Sequence, residues 1–559
     1  MLRQLLLLVS LFALGETAAQ YSWYEPGSWQ ESQLIITRDA INANRFAPRV
    51  WMPLSAKIGL TDTIAASHGA VRGITFSPYF KTDNPESADN KEQKNGFFAR
   101  NGMFYSWSDN QSKDRSTLVI NPIINLGVGV AGYDKPLMHN GRGIEVRGNI
   151  KQKLGFYTRV TENQTYFPEY VNRYRDTFGV APGLAWWKGI GKNGGTASLG
   201  TDYLQSVGYI SAALINNATS SSYLIMSAGH DRFFIGQGYR SLILGNASAP
   251  FGFLKFNTKI GPFQYQNIYG QLNGYTPLTG NTLLPKKYLT MHRGSLEFEG
   301  DYSTLEIGFS EMIIHHREQG NFDLDYLNPI IFYRSIEANA GSKDNALMAF
   351  DVAYKLPFRW RFYGQAVLDE FKLNEVKKGG WWANKFGWQL GLMRIIRGRL
   401  GNGLVQVERN QVRPYTYSHS DPLNSYTHYN QPLAHPLGSN FQEWCMRGFF
   451  QPKSMDKLRF QWAGMLAKQG NDPWTGGLNY GANPRRDNDF RVADNGVQML
   501  QGLASEIQSF RLDMAYMVYH NLNLDFGLQW RKETGLYQSN ATWIHAGLRW
   551  NIEPINNLF

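Results

Sequence analysis

The segment 406–443 carries the densest set of side chains suited to ligand binding in this chain. Its aromatic and basic residues stand between prolines: Arg413, Tyr415, Tyr417, His419, Tyr426, His428, Tyr429 and His435. Tyrosine rings pack on the C–H faces of sugars, while arginine and histidine donate to hydroxyls and carboxylates. The composition indicates a loop that contacts carbohydrate, and it is equally compatible with a loop that folds inward as a plug.

Metal-based and catalytic interpretations of this segment find less support. His419, His428 and His435 match no standard zinc-ligand spacing. A Ser–His hydrolase would need a third orienting group and an oxyanion hole, and the sequence marks neither. We therefore expect no metal, no cofactor and no catalytic residue.

A second polar segment, 229–246, places Asp231 and Arg232 before a Gly-x-Gly turn and Arg240 after it. Glycines permit a tight backbone turn, and an aspartate can hold an arginine in a bidentate pair. No helical pattern and no Gly-Lys-Ser follow, which argues against a phosphate-binding loop. The segment predicts either an internal ion pair or a ligand contact.

A third region spans 327–337, 362–371 and 381–391. We interpret Arg334, Asp369 and Lys385 as charges that line an interior, with sugar or acid binding as the alternative. Adjacent strand residues point to opposite faces, so Asp369 and the glutamate after it do not form the paired carboxyls of a glycosidase. The tryptophans at 381–382 are more typical of a membrane-interface belt than of a ligand platform.

The elements that must hold these segments alternate strictly between apolar and polar side chains. Between Asn521 and Arg531 every second residue is apolar: Leu522, Leu524, Phe526, Leu528 and Trp530. A strand places alternate side chains on opposite faces, whereas a helix would spread these apolar residues around its circumference. The segment predicts a strand with one face in lipid and the other towards a wet interior.

The same alternation recurs at 144–150, 296–302, 305–310, 510–518 and 543–550. Charged residues such as Glu145, Arg147 and Glu297 occupy the second face. Such charges are costly in a dry sandwich core but tolerated in a watery or hydrogen-bonded lumen. The sequence therefore predicts an all-β fold, a transmembrane antiparallel β-barrel with a loop plug.

Longer polar segments predict the outward loops of this barrel. They lie at 81–95, 161–179, 273–287, 411–440 and 469–496. At ~25–30 residues for each strand and its connection, the chain would hold roughly 16–20 strands, an even number.

Composition agrees with a barrel and leaves its partner open. There are 16 Trp, 30 Tyr, 33 Phe and 56 Gly, with a mean hydropathy of −0.39. The single cysteine, Cys445, excludes a disulfide framework. A net charge of +11 fits a solvated or lipopolysaccharide-facing surface as well as it fits an acidic polymer as partner. We expect no nucleic-acid partner.

Residues 1–19 are typical of a signal peptide. Arg3 precedes the short apolar run Leu5–Leu14, which falls far short of the ~20 residues of a membrane span, and a Thr-Ala-Ala site precedes Gln20. No cysteine follows the cut, so a lipoprotein is not expected. We predict a small periplasmic segment at 20–65, a single barrel domain at 66–559 and no transmembrane helix. The destination would be the outer membrane of a diderm bacterium, with outer-membrane lipid, lipopolysaccharide and the barrel-assembly machinery as partners.

At these segments the sequence resembles the Wzi capsule-assembly family, especially its RemB-like, gliding-motility-associated branch. The stretch 229–250, GHDRFFIGQGYRSLILGNASAP, is similar to the family block of an aspartate–arginine pair, a Gly-x-Gly turn and a Ser-Leu-Ile-Leu run. The branch is matched by LNPIIFYR, DNALMAFD, GWWANKFGWQLG, VRPYTYSH and PLAHPLGSNF. Together these motifs span about 220–445. Gly245 stands where the family block has serine, and Gln237 stands where the capsule branch favours proline.

The resemblance implies an eighteen-stranded outer-membrane barrel whose outer loops act as a lectin. Such a barrel holds capsular polysaccharide or exopolysaccharide at the cell surface without cutting it. The motifs carry over onto these candidate contact residues: Asp231, Arg232, Arg240, Arg334, Arg413, Tyr415, Tyr417 and His419. The leading hypothesis is non-catalytic polysaccharide binding in capsule assembly with a link to surface gliding motility, and the alternative is a pore for small or acidic solutes.

Overall fold

Antiparallel pairing runs through eighteen strands and returns to the first. The computed structural model describes residues 105–108, 117–131 and 136–552, with gaps at 151–153, 193–197, 218–221, 275–283, 301–302, 331, 342–343, 456, 474–476 and 520–521. The sheet has twenty strands, of which two short ones, Tyr105–Ser108 and Lys188–Lys192, pair alongside the wall. The other eighteen close into a barrel, with Leu126 of the first strand opposite Leu548 of the last. The predicted fold class and strand number are confirmed.

The wall strands have these bounds: β1 Thr117–Ala131, β2 Leu137–Ile150, β3 Leu154–Tyr166, β4 Ser198–Asn217, β5 Ser222–Asp231, β6 Phe251–Ile260, β7 Phe263–Asn273, β8 Lys286–Glu299, β9 Thr304–His315, β10 Asn345–Leu356, β11 Trp360–Glu370, β12 Lys385–Arg397, β13 Gly401–Val412, β14 Phe441–Pro452, β15 Leu458–Asn471, β16 Leu503–Tyr519, β17 Leu522–Gly535 and β18 Ser539–Trp550. Three α-helices lie in the connections: α1 Glu169–Phe178, α2 Tyr333–Ala340 and α3 Leu373–Lys378. No described helix is both long enough and apolar enough to cross a bilayer.

The two ends of the barrel differ in the length of their connections. One end, here the lower end, has short turns such as 261–262, 357–359 and 398–400. The long connections all meet at the opposite, upper end: 167–197, 232–250, 274–285, 316–344, 371–384, 413–440 and 472–502. In outer-membrane barrels short turns face the periplasm and long loops face outward. The upper end is therefore the extracellular one.

Alternate side chains face lipid and lumen, as the sequence pattern predicts. On β17, Phe526 and Leu528 are 47% and 39% exposed on the outside, whereas the interleaved Gln529 and Arg531 are buried inside. The apolar exterior continues around the wall, for example at Ile307 on β9 and Ile544 on β18. It forms an apolar belt that suits contact with hydrocarbon.

Paired charges line the lumen between its lower and upper ends. Arg293 of β8 donates to both carboxylate oxygens of Asp351 at 2.9 and 2.6 Å and to Glu306 at 2.9 Å. Further pairs join Arg549 to Asp525 and Arg531 to Glu533. Buried charges are stable when they are paired and hydrogen-bonded, so these groups cross-link the strands from within.

The predicted N-terminal segments and loops differ in how they compare with the structure. The proposed signal at 1–19, the segment 20–65 and the loop 81–95 lie outside the described residues. The predicted loop 161–179 is wrong in its first part, because β3 continues to Tyr166 and α1 follows. That helix ends where Gly179 takes a φ of 73° and donates its N–H to the carbonyl of Arg175. The loops predicted at 273–287, 411–440 and 469–496 are confirmed to within a few residues, except that the last continues to 502.

Candidate functional site

The connection 232–250, here called the plug loop, folds from the upper end into the lumen. Its apolar residues are buried against the inward faces of β7 to β9: Phe233, Ile235, Leu242, Ile243 and Leu244 pack with Ile268, Leu289 and Met312. The run at 242–244 is fully buried. Burial of apolar area on this scale holds a loop in place without metal or disulfide. The upper half of the lumen therefore has an apolar core.

Glu408 of β13 anchors the Gly-x-Gly turn of the plug loop. Its carboxylate accepts from the backbone N–H groups of Tyr239 at 2.7 Å and Arg240 at 3.1 Å. The same carboxylate accepts from the Tyr363 hydroxyl at 2.8 Å and from the Asn410 amide at 2.9 Å. A Cβ on the second glycine of the turn would collide with this carboxylate, so glycine is required there for close approach.

Arg240 is held by a second buried carboxylate. Its guanidinium lies 3.3 Å from Glu443, which accepts from His435 at 2.7 Å. Burial alone lowers the pKa of Arg240, but Glu443 and Glu408 raise it to a net increase, so the side chain stays charged. Burial also lowers the pKa of His435, outweighing the carboxylate beside it. The prediction of an internal ion pair is confirmed for Arg240, with Glu443 as its partner.

The connection 413–440, here called the cap loop, seals the plug loop from above. The hydroxyl of Tyr417 donates to the carbonyl of Leu242 at 2.7 Å, and that of Tyr426 donates to the carbonyl of Ile243 at 2.8 Å. Tyr417 has a φ of 72°, a strained value for a non-glycine residue, and its N–H donates to Asp369 at 2.7 Å. The cap and plug loops thus form one hydrogen-bonded unit.

The three histidines considered as metal ligands have separate environments. His428 is fully buried, with its Nδ1 accepting from the N–H of Asn273 at 3.0 Å and its Nε2 lying 3.1 Å from the carbonyl of Pro250. Burial lowers the pKa of His428 to about 3. His419 is half-buried, and burial lowers its pKa too. Within the described part of the chain, no three His, Cys, Asp or Glu side chains gather as a metal site would require.

Most of the candidate contact residues from the sequence belong to the interior. Asp231 accepts from the N–H of Arg232 at 2.8 Å, and the Arg232 side chain donates to the carbonyl of Ser248 at 3.0 Å. Tyr415 and Tyr417 are 0% and 1% exposed. These side chains brace the plug and cap loops. Only Arg413 and His419 of the cap-loop set reach the upper surface, and both are half-buried.

Arg334 lies apart from the others, outside the barrel. It belongs to α2, which packs on the outer wall of β9, where Glu311 accepts from the backbone N–H of Arg334 at 3.0 Å. The prediction that Arg334 lines the lumen is therefore wrong. Asp369 and Lys385 do lie inside, where Lys385 donates to the carbonyl of Ser418 at 3.3 Å.

The upper surface carries a cluster that sequence reasoning did not assemble. We call it the outer patch, and it consists of Lys372, Trp381, Trp382, Arg413 and Arg491. The Arg491 guanidinium lies 4.2 Å from the centre of the Trp382 ring, and the Lys372 ammonium lies 4.9 Å from that of Trp381. Arg413 lies 3.4 Å from the carbonyl of Trp381.

The outer patch joins three loops that are distant in the sequence. Trp382 donates its N–H to the carbonyl of Asp494 at 2.9 Å, and its ring lies edge-on to Tyr415 at 6.1 Å. It therefore faces the loops above the lumen, so the prediction of a position in a membrane belt is wrong for it. Arg491 carried no motif in the sequence. The only available signal was its place in a long polar connection.

Comparison with known proteins assigns the family by sequence. The family model described as capsule assembly protein Wzi matches residues 216–542, which is more than half of the chain. Comparison with curated protein sequences finds no significant match.

Three solved structures show a likeness to this chain. Wzi of Escherichia coli, described as a carbohydrate-binding β-barrel involved in group 1 capsule assembly, is 14% identical, with coverage of 76% of this chain and 83% of that chain and a TM-score of 0.47. A BenF-like porin of Pseudomonas fluorescens is 8% identical, with coverage of 77% of this chain and 98% of that chain and a TM-score of 0.40. OccK2 of Pseudomonas aeruginosa is 10% identical, with coverage of 78% of this chain and 96% of that chain and a TM-score of 0.40. These TM-scores are too low to support an argument, and the family rests on the sequence match.

The barrel wall, the apolar belt and the long loops at one end describe an outer-membrane protein. The plug-loop motif and the cap loop both lie inside the matched range 216–542. The chain belongs to the Wzi capsule-assembly family and is an outer-membrane β-barrel.

Proposed function

We propose that this barrel binds an extracellular polysaccharide at its upper end and holds it at the cell surface without catalysis. The observation that carries the proposal is the filled lumen, because the plug and cap loops occupy the space that a transport path would need. Asp231, Arg232, Arg240, Tyr415 and Tyr417 would then brace the binding surface from below rather than touch the sugar.

The outer patch supplies the chemistry that such a surface needs. The half-buried Trp381 ring suits the C–H face of a pyranose, and Lys372 and Arg413 beside it suit hydroxyls and carboxylates. Trp382, with Arg491 and Lys385 over its ring, holds this surface together. The half-buried Arg413 and His419 border the same surface. A polymer that meets several weak sites at once gains useful avidity without a deep pocket.

Retention of polysaccharide on intact cells tests the proposal. We expect Trp381→Ala with Trp382→Ala, and separately Arg413→Ala, to lower cell-bound polysaccharide and raise the released fraction several-fold. The matched control is Trp186→Ala, which removes a 66% exposed indole from another upper loop. Equal retention in the patch variants and the control, with equal barrel levels in the membrane, would count against the outer patch.

The rival function is a pore, and planar-bilayer conductance separates the two. The apolar core formed by the plug loop predicts a silent barrel, whereas a variant lacking 234–246 should open a channel. A stable, ion-selective conductance from the unaltered protein would favour the pore and remove the observation on which our proposal depends.

The proposal also includes a link to surface gliding motility and two further partners, lipopolysaccharide and the barrel-assembly machinery. The similarity of 327–334, 344–351 and 380–391 to RemB-like sequences supports a role in surface gliding. Deleting the gene should then reduce spreading on agar as well as retention of polysaccharide. Lipopolysaccharide around the belt and the barrel-assembly machinery during insertion are the partners that this architecture calls for.

A further inference from the structure

The connection 316–344 folds outward over the barrel wall, in the opposite direction to the plug loop. We call residues 324–337 the flap; it contains a 3₁₀ turn, Leu324–Leu327, and the first half of α2. Tyr326 and Tyr333 of the flap pack on Ile313, an outward-facing residue of β9 that is 0% exposed. The flap therefore covers the upper outer wall of β7 to β10.

The wall beneath the flap carries buried polar side chains, whereas the belt below it is apolar. Glu311 and His292 face outward in register on neighbouring strands, 3.2 Å apart. Both are buried, at 1% and 5% exposure. Below them the outward residues return to the exposed apolar belt, with Leu296 and Ile307 at 44% and 49%.

These polar wall groups satisfy the backbone of the flap. Glu311 accepts from the N–H of Tyr333 at 2.8 Å, which together with its bond to Arg334 caps the start of α2. Asn267 donates to the carbonyl of Pro329 at 3.0 Å, and the Tyr265 hydroxyl donates to the same carbonyl. Tyr269 donates to the carbonyl of Leu327 at 2.8 Å. A backbone bathed in water does not need such partners, whereas a backbone at the edge of hydrocarbon does.

The flap turns apolar side chains away from the wall. Leu324, Leu327, Ile330 and Phe332 are 74%, 48%, 79% and 63% exposed. The segment 327–332 carries no charge. Exposed apolar groups in this density mark a surface that contacts lipid or protein.

The height of the flap decides between these occupants. Phe332 packs against Phe309 with ring centres 6.3 Å apart, and Phe309 packs on Phe350, its direct partner on β10, which is 49% exposed. Tyr265 of β7 lies in the same row of the wall, because Gly294 of β8 pairs with Phe309 on one side and with Tyr265 on the other. The flap thus rests on the top row of the apolar belt, and its exposed face continues the lipid-facing surface of the barrel.

We infer that the flap, which lies outside the barrel wall, inserts Leu327, Ile330 and Phe332 among the acyl chains of the outer leaflet. It acts as an interfacial anchor that fixes the depth of the barrel on the β7–β10 side. The inference does not depend on the proposed polysaccharide function.

Spin-label depth measurements on the full chain in lipid nanodiscs test this inference. A nitroxide is attached at Ile330→Cys or Phe332→Cys, and relaxation by oxygen, which partitions into lipid, is compared with relaxation by a water-soluble nickel chelate. Ile307→Cys in the belt is the lipid reference, and Leu478→Cys, 54% exposed in an upper loop, is the water reference. The native Cys445 is buried, so the unsubstituted chain serves as the blank.

We expect the oxygen-to-nickel ratio at 330 and 332 to match that at 307 and to exceed that at 478 several-fold. A ratio at both flap positions closer to the water reference would overturn the inference. The four sites are exposed, so the substitutions leave the core intact, and heat-modifiable migration of each variant confirms a folded barrel.

Discussion

Replacing Glu408 by glutamine should release the plug loop while leaving the barrel wall intact. Each carboxylate oxygen of Glu408 accepts from two donors other than the Cys445 thiol: the N–H of Tyr239 and the Tyr363 hydroxyl on one, and the N–H of Arg240 and the Asn410 amide on the other. A glutamine fills the same space but presents an NH₂ group to one of these pairs in either orientation. Two of the donors around this carboxylate, which is 1% exposed, then lose their acceptor.

The cost follows from those two donors. A buried donor without an acceptor costs about 1–3 kcal/mol, and rotation of the Tyr363 hydroxyl recovers part of it, which leaves about 2–4 kcal/mol against the docked loop. When the plug loop opens and closes fast compared with its cleavage, the cleavage rate is proportional to the population with the loop undocked. The rate of cleavage in the plug loop should therefore rise roughly 30- to 700-fold.

Limited trypsin digestion with mass spectrometry measures this increase in cleavage, since Arg232 and Arg240 are trypsin sites within the plug loop. The matched control is Glu506→Gln, which alters an exposed pair with Lys468 on the outer wall. Cleavage in the Glu408 variant within threefold of the unsubstituted chain would refute the reasoning, because the carboxylate would then not be holding the loop.

Two further predictions concern buried charge. Burial holds the pKa of His428 at about 3, below its unfolded value of about 6.5, so its contribution to stability is complete above pH 6.5 and is lost as the pH falls towards 3. Hydrogen exchange of the cap loop, corrected for intrinsic rates, should therefore speed up on acidification, and less so in His428→Gln. An equal response in both proteins would assign the effect to other groups. Arg293→Met should lower the free energy of unfolding in detergent by about 3–5 kcal/mol, because Asp351 and Glu306 would face each other without the guanidinium. Arg142→Met, which breaks an exposed pair with Glu162, should lower it by at most about 1 kcal/mol. Equal losses in the two variants would contradict the role of burial.

The wall was predictable because the pleat of a strand imposes its period directly on the sequence. Ile144 and Ile150 are 47% exposed outside, and the interleaved Glu145 and Arg147 are buried inside, as the alternation indicates. No tertiary information is needed for that assignment. The strand number from connection length, roughly 16–20, was less exact, and the resemblance supplied eighteen.

The paths of the loops were not predictable, since a polar and aromatic segment satisfies its groups equally well in several places. The aromatic sequence around Arg334 covers the outer wall, while the similar one around Tyr417 enters the lumen. Tyrosines that suggested sugar contacts instead donate to the carbonyls of Leu242 and Ile243. The outer patch was missed because Trp382 and Arg491 meet only in three dimensions.

Separation along the sequence bears on how the plug loop is secured. The loop follows β5, yet many of its hydrogen-bond partners come much later: Gln365 stands 123 residues beyond Leu242, and Met465 stands 225 beyond Arg240. The loop lacks these particular partners until β11 to β15 have joined the wall. Contacts across such separations form slowly. The C-terminal half of the chain thus supplies the residues that fix the plug loop in place. A barrel that stopped folding before these strands joined would expose an apolar loop beside unpaired strand edges.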